Sequence, residues 1–165
     1  MYSYSQLTDI QIGGDPLFAP HLLPAPAPGP ATVAEFAALA REIAEDRDSW
    51  APLVRYDAAS RWYHRVRTGP GYEAWLLSWL PGQGSGRHGH GPSSGVFCVL
   101  EGELTELTGP AGAERRLRTP GARHVFAPGY VHEVVNERLT PAVSLHVYFP
   151  GLTRMPMHAR RCAAA

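Results

Sequence analysis

The sequence predicts one mainly β domain, a small barrel or sandwich, preceded by a single amphipathic helix. Two observations support this prediction. After Trp50, β-branched and aromatic residues occur in eight short runs that Gly- and Pro-containing turns separate. Before them, a stretch that begins at Thr32 repeats its apolar residues at helical spacing. The length of 165 residues fits one domain with one core.

The helix is predicted to begin at Thr32 and to end near Asp46. Thr32 and Glu35 match the capping box, in which each side chain accepts a hydrogen bond from the backbone N–H of the other residue. The apolar residues that follow recur every three or four positions, so they share the face that packs on the domain. These residues are Val33, Phe36, Leu39 or Ala40, and Ile43.

The eight runs after the helix are predicted to be strands, and short strands at this spacing are typical of sandwiches and small barrels. They cover residues 61–67, 72–80, 96–101, 103–108, 115–118, 123–127, 131–136 and 142–149. We therefore expect the domain to span residues 32–155. Residues 1–31 are too rich in proline for a helix and are expected to form an extended segment, and residues 156–165 a C-terminal tail.

Composition indicates which partners to expect. The formal net charge of +0 gives no basis for binding nucleic acid or an anionic membrane. There is no run of 18 apolar residues, and the amino end lacks the basic and apolar regions of a signal peptide. We expect a cytoplasmic monomer or weak homo-oligomer with a small-molecule partner, in which Cys98 and Cys162 are free thiols.

The segment GRHGHGPSSG places two histidines, His88 and His90, one residue apart among glycines. In an extended strand, residues two positions apart point to the same side, so these histidines can share a metal ion. A flexible turn with two exposed histidines is the alternative. A third histidine, His132, follows a Pro-Gly turn at the start of another apolar run, which favours the metal site.

The two histidine segments resemble the paired motifs of the cupin superfamily, small β-barrels that bind a metal inside. Gly82, His88, His90 and Gly102 fit the first motif, and Gly121, Pro128, Gly129, His132 and Asn136 fit the second more loosely. Gly95 stands where the first motif has a glutamate. Three neutral imidazoles leave a divalent ion at its full charge, so such a site favours an anionic ligand such as a thiolate.

The last predicted strand alternates, with Ser144, His146 and Tyr148 on the side opposite its apolar residues. This polar row is expected to line the interior, where it can form a hydrogen-bond relay that ends at a phenol. Side chains that merely pair with each other within a strand are the alternative.

Together, LPGQGSGRHGHGPSSGVFCVLEGELTE, YVHEVVN and SLHVY resemble a bacterial cysteine dioxygenase over roughly residues 55–155. The resemblance implies a cupin that oxidises L-cysteine to cysteine sulfinate with O2 on Fe(II). It implies that His88, His90 and His132 bind iron and that Ser144, His146 and Tyr148 are catalytic. Animal members link the tyrosine to a cysteine where Gly95 stands here, so no thioether is expected, and Met155 stands near the position of a further cysteine of those enzymes.

In this family an arginine before the first barrel strands also binds the substrate carboxylate. Alignment with the family favours Arg61 for that role. Arg65 and Arg67 are the other candidates, and a period of two places all three on one face. Alternative functions are dioxygenation of 3-mercaptopropionate or cysteamine, or a non-catalytic or isomerase cupin that binds Zn or Mn. The sequence shows no pair of DNA-binding helices, which disfavours a sensor. The missing glutamate disfavours the isomerase.

Overall fold

The computed structural model describes residues 29–159. Most of the Pro-rich segment and the end of the C-terminal tail, with Cys162, lie outside the described residues. Within residues 29–159, no helix combines the length and the apolar character needed to cross a bilayer.

The predicted helix, α1, spans Val33–Glu45, with Thr32 as N-cap and Asp46 as C-cap. The capping box is present: the Thr32 N–H donates to the Glu35 carboxylate at 2.8 Å, and the Glu35 N–H donates to Thr32 Oγ1 at 3.3 Å. The sequence analysis did not predict the short helix α2, Arg47–Trp50, or the 3₁₀ turn after it, Ala51–Leu53. The polar sequence of α2 has too few apolar positions to show a period.

Eight antiparallel strands follow, and each corresponds to one of the predicted runs. They are β1 Tyr63–Gly69, β2 Tyr72–Trp79, β3 Ser94–Glu101, β4 Leu104–Thr108, β5 Glu114–Arg118, β6 Arg123–Phe126, β7 Glu133–Val135 and β8 Ala142–Phe149. They form a five-stranded sheet in the order β1-β2-β8-β3-β6 and a three-stranded sheet in the order β5-β4-β7. The prediction of a mainly β fold with an N-terminal helix is confirmed, with two sheets in place of one continuous barrel.

Strand β8 lies at the centre of the larger sheet and separates two apolar clusters. On one side, Leu145 and Val147 pack with Phe36 and other residues of α1. On the other, Tyr148 packs with Trp79 and residues of the smaller sheet. Burying each large apolar side chain contributes about 1.5–3 kcal/mol. The alternation of β8 therefore turns its polar row inward, as the sequence predicts.

Candidate metal centre

Three histidines from two chain segments meet in the interior. His88 and His90 lie in the loop between β2 and β3, and His132 lies just before β7. The His88 N–H donates to the His132 carbonyl at 2.8 Å, and the His132 N–H donates back to the His88 carbonyl at 3.0 Å. Because this isolated backbone bridge fixes both segments side by side, one potential ligand atom from each of the three rings lies within 4.8 Å of the others.

The histidine pair is not part of a regular strand. The expectation from its spacing, that His88 and His90 lie in an extended strand, is therefore wrong. His88 forms isolated bridges with His132 and with Met157 near the C-terminus, and turns flank the pair. The rings of His88 and His90 still approach each other, edge to face, with centroids 4.9 Å apart. All three histidines are buried, so the alternative of an exposed flexible turn is wrong.

Burial keeps the imidazoles of His88 and His90 neutral and able to donate a lone pair. Burial, together with the neighbouring His132, lowers the pKa of His88 to about 4 and the pKa of His90 to about 3. His88 Nδ1 lies 3.0 Å from the Gly86 carbonyl. Since a carbonyl only accepts, Nδ1 carries the proton and the lone pair of His88 is on Nε2.

A glutamate that the sequence analysis missed lies behind the third histidine. Glu106 in β4 is fully buried, and its Oε1 lies 2.7 Å from His132 Nδ1. Arg118 Nε donates to Oε2 at 2.8 Å, and the Tyr130 hydroxyl donates to Oε1 at 3.0 Å. Burial raises the pKa of Glu106, but the hydrogen bonds from His132 and Arg118 and the guanidinium charge of Arg118 outweigh it and lower the pKa overall. The sequence feature that could have identified Glu106 is an acidic residue in the middle of the apolar run LTELT.

The nitrogen atoms left over in this cluster fit a metal ion. His132 Nε2 and both ring nitrogens of His90 are buried without a hydrogen-bond partner. Buried polar atoms are normally satisfied, so rings with free nitrogens turned together indicate a site for a shared partner. A donor set of imidazoles suits Fe, Zn, Cu or Ni better than Mg or Ca.

The predicted relay is in place and is one residue longer than the sequence indicated. The Ser144 hydroxyl lies 2.9 Å from His146 Nε2, and His146 Nδ1 lies 3.4 Å from the Tyr148 hydroxyl. Trp79 Nε1 donates to Ser144 Oγ at 2.9 Å. Trp79 stands on the neighbouring strand β2, and nothing in its local sequence indicates this contact across strands.

Trp79 constrains the direction of the relay because an indole N–H only donates. Ser144 accepts from Trp79, so its own proton is available for His146 Nε2; with that proton placed there, the His146 proton is on Nδ1, facing Tyr148. The Tyr148 oxygen accepts this bond and keeps its proton for another partner. Burial lowers the pKa of His146 and raises the pKa of Tyr148, so one stays neutral and the other protonated at pH 7.

A cavity of about 290 Å³ opens beside Tyr148, whose ring centroid is 5.3 Å from that of His90. Its lining residues are Arg61, Tyr63, Trp75, Leu77, Tyr148, Leu152 and Met155. Arg61 is the only charged residue among them, and its Nε is buried without a hydrogen-bond partner. Its guanidinium carbon lies 4.6 Å from the centroid of the Trp79 ring, which holds it in place. Met155 lies at the cavity, as its alignment implied.

The expectation that three arginines share one face is wrong for Arg67. A β-bulge between Arg65 and Arg67 shifts the register of β1 against β2. Arg67 consequently points to the helix and donates to Glu42 of α1 at 2.8 Å. Arg65 lies over the Trp75 ring and 3.8 Å from Glu73, and it does not line the cavity.

Gly95, the position of the motif glutamate, has no room for a side chain. A Cβ there would overlap the ring of Phe126 and lie 2.9 Å from the Val147 carbonyl. The Phe126 ring stacks on His90, with centroids 4.5 Å apart. Cys98 packs in the cluster beneath α1, whereas Tyr148 belongs to the cluster between the sheets. The two side chains thus lie on opposite faces of the larger sheet.

The chain after β8 folds back across the histidine loop. The Gly89 N–H donates to the Pro156 carbonyl at 3.0 Å, and the His158 N–H donates to the Arg87 carbonyl at 2.8 Å. Nearer the cavity, the Leu152 N–H donates to Glu73 at 2.8 Å. The described part of the predicted tail therefore supports the segment that carries the histidine pair.

Comparison with known proteins agrees with this geometry. Residues 29–161 match the family model described as cysteine dioxygenase type I. The TT1209 protein of Thermus thermophilus is 32% identical over 61% of this chain and 93% of its own, with a TM-score of 0.56. A double-stranded β-helix protein of Klebsiella pneumoniae is 20% identical over 66% and 93%, with a TM-score of 0.59.

An RmlC-like cupin of Desulfovibrio desulfuricans is 22% identical over 60% of this chain and 91% of its own, with a TM-score of 0.53. At these identities, the last two structures establish the cupin fold alone. No curated protein matches the sequence significantly.

Proposed function

The chain belongs to the cysteine dioxygenase type I family, and we propose that it is an iron-dependent dioxygenase that oxidises L-cysteine to cysteine sulfinate with O2. Both oxygen atoms add to sulfur, so the reaction needs no external reductant. The observation that supports this most is the buried cluster of three histidines with free ring nitrogens beside the Tyr148 relay.

In this proposal His88, His90 and His132 hold Fe(II). Ferrous iron would supply a cation that binds thiolate and activates dioxygen. Because the three imidazoles are neutral, they leave the charge of the ion to be balanced by the substrate, which favours a thiolate. Phe126 excludes a fourth protein ligand at Gly95, so coordination positions remain for small molecules.

Arg61 is proposed to bind the substrate carboxylate. Among the described residues that line the cavity, Arg61 is the charged one, and its buried Nε has no hydrogen-bond partner, so the site suits an anion. A guanidinium matches a carboxylate in bidentate geometry, at about 1.5–3 kcal/mol for each charged hydrogen bond. Cysteamine, which lacks a carboxylate, is therefore expected to be a poor substrate.

Tyr148 is proposed to donate its phenol proton to the reacting substrate. With the relay running from Trp79 through Ser144 and His146, this proton is directed away from His146, and the cavity beside it has mostly aromatic and aliphatic walls. A donor held in place before the reaction stabilises charge as it develops and loses little to reorganisation.

3-Mercaptopropionate is a second candidate substrate because the described lining of the cavity has no acidic side chain to bind an amine. Among the described residues that line it, none is acidic, so no carboxylate faces the position of an ammonium group. This favours a thiol that carries a carboxylate without an amine.

Oxygen uptake by the Fe(II) protein tests the proposal. We expect uptake with L-cysteine at one O2 per thiol, and a sulfinate product identified by mass spectrometry. Parallel assays with 3-mercaptopropionate and cysteamine decide between the thiols. A protein that purifies with zinc or manganese, and that takes up no oxygen with any of the three thiols after iron loading, would instead be a cupin isomerase or a non-catalytic metal binder.

A further inference from the structure

The hydrogen bond between Glu106 and His132 has a role in the metal centre that the family match does not assign. We propose that Glu106 is a positioning residue, which keeps the His132 proton on Nδ1 and turns the Nε2 lone pair toward the ion. This inference rests on the part of the proposed function that makes His132 a metal ligand, and it is independent of which thiol is oxidised.

Two paired strands bring the residues together. β4 pairs with β7 in the register that sets Glu106 opposite Val134, two residues after His132. Glu106 Oε1 and His132 Nδ1 are 2.7 Å apart, and both side chains are completely buried. No water competes for this hydrogen bond, so its geometry restrains the imidazole ring as closely as the strands restrain the backbone.

The partners of Glu106 keep its carboxylate ionised and in place. Arg118, whose side chain is 15% exposed, contacts Oε2 through both Nε and a terminal nitrogen, at 2.8 and 2.5 Å. The Tyr130 hydroxyl donates to Oε1 at 3.0 Å. With donors on both oxygens, the carboxylate is satisfied despite its burial and has one orientation available.

An ionised carboxylate only accepts hydrogen bonds, so it permits one neutral tautomer of His132. With the proton on Nδ1, Nε2 holds the lone pair, and this is the His132 nitrogen that is buried without a partner. A carboxylate behind a ligating histidine also makes the imidazole a better donor, and losing such a partner typically lowers metal affinity by roughly 10- to 100-fold.

Glu106→Gln tests this idea because the amide keeps the shape of the side chain, loses its charge and can rotate to donate to Nδ1. The matched control is Glu73→Gln, the same change at a half-buried glutamate that contacts the Leu152 N–H and none of the three histidines. Metal-free protein is titrated with Co(II) alone, and binding is followed by visible absorption. We expect Glu106→Gln to weaken Co(II) binding by roughly 10- to 100-fold and Glu73→Gln to stay within about twofold of the wild type.

The tautomer of His132 is a second measurement, and a general loss of stability would not change it. Long-range ¹H–¹⁵N spectra of metal-free wild type should show His132 protonated at Nδ1, and Glu106→Gln should show a larger share of the Nε2–H form. A wild type with its proton on Nε2 overturns the inference even if the variant does not fold. Equal Co(II) affinity of Glu106→Gln and wild type overturns it too. If wild type itself fails to bind one Co(II) per chain, the metal centre of the proposed function fails as well.

Discussion

Replacing Ser144 by alanine tests whether the direction of the relay matters for catalysis. The change removes one oxygen atom, which accepts from Trp79 Nε1 at 2.9 Å and lies 2.9 Å from His146 Nε2. Both partners lose a buried hydrogen bond, and each unsatisfied group costs about 1–3 kcal/mol. We therefore expect the free energy of unfolding to fall by about 2–6 kcal/mol.

The effect on turnover follows from the tautomer of His146. Without Ser144, the Nδ1–H form loses a hydrogen bond worth about 0.5–1.5 kcal/mol, so its preference falls by roughly 2- to 12-fold. In the other tautomer, Nδ1 accepts the Tyr148 proton and withdraws it from the cavity. Since the active fraction cannot fall by more than the preference does, we expect kcat for L-cysteine oxidation to fall by at most about tenfold. KM should change little, because Ser144 does not line the cavity.

The assay combines oxygen uptake with urea unfolding of the metal-free protein. Ser78→Ala is the matched control, since Ser78 is a buried serine on the neighbouring strand β2 that donates to the Arg55 carbonyl and takes no part in the relay. It should lower the free energy of unfolding by about 1 kcal/mol and leave kcat unchanged. The relay has no role in catalysis if Ser144→Ala retains the kcat of wild type, or if both serine variants lower kcat equally.

Four further predictions follow from the site. Tyr148→Phe should lower turnover by roughly ten- to a hundredfold with iron retained, as for the loss of one preorganised donor; turnover equal to wild type would exclude its catalytic role. His132→Ala should abolish iron binding, measured by elemental analysis, and a variant that keeps one iron per chain would show that another residue is the ligand. Intact-mass and tryptic mapping should find no bond between Cys98 and Tyr148, which lie on opposite faces of the sheet; a linked peptide contradicts this. The metal-free protein should lose stability as the pH falls from about 7 toward 4. The reason is that His88 takes up a proton near pH 6.5 in the unfolded chain, whereas its pKa is about 4 when it is buried. Urea midpoints that do not change between about pH 7.5 and 5 would show that His88 is not held neutral by burial.

Patterns that depend on neighbours in the chain were predictable. The capping box and the apolar period located α1, and the period-two alternation of β8 turned Ser144, His146 and Tyr148 inward, because each of these features is set within a few residues. The spacing of His88 and His90 likewise indicated a metal site, although a bridge to another segment, and not a regular strand, holds the pair.

Contacts between distant segments were not predictable from the same patterns. A single bulge in β1 separates Arg67 from Arg65, and local sequence does not show where a strand gains a residue. Glu106 is 26 residues from His132 along the chain, yet the pairing of β4 with β7 places its carboxylate against the imidazole. The sequence suggested a site without a carboxylate, and the structure places one a single hydrogen bond behind a histidine.

The sequence by itself determined the order of helix and strands, the inward polar row and the three histidines that can share an ion, since local periodicity and residue chemistry are sufficient for these. Only the tertiary structure decided that Trp79 directs the relay, that Phe126 fills the space at Gly95 and that Glu106 supports His132. Each of these depends on strand register, which long-range packing sets and which a shift of one residue would reverse.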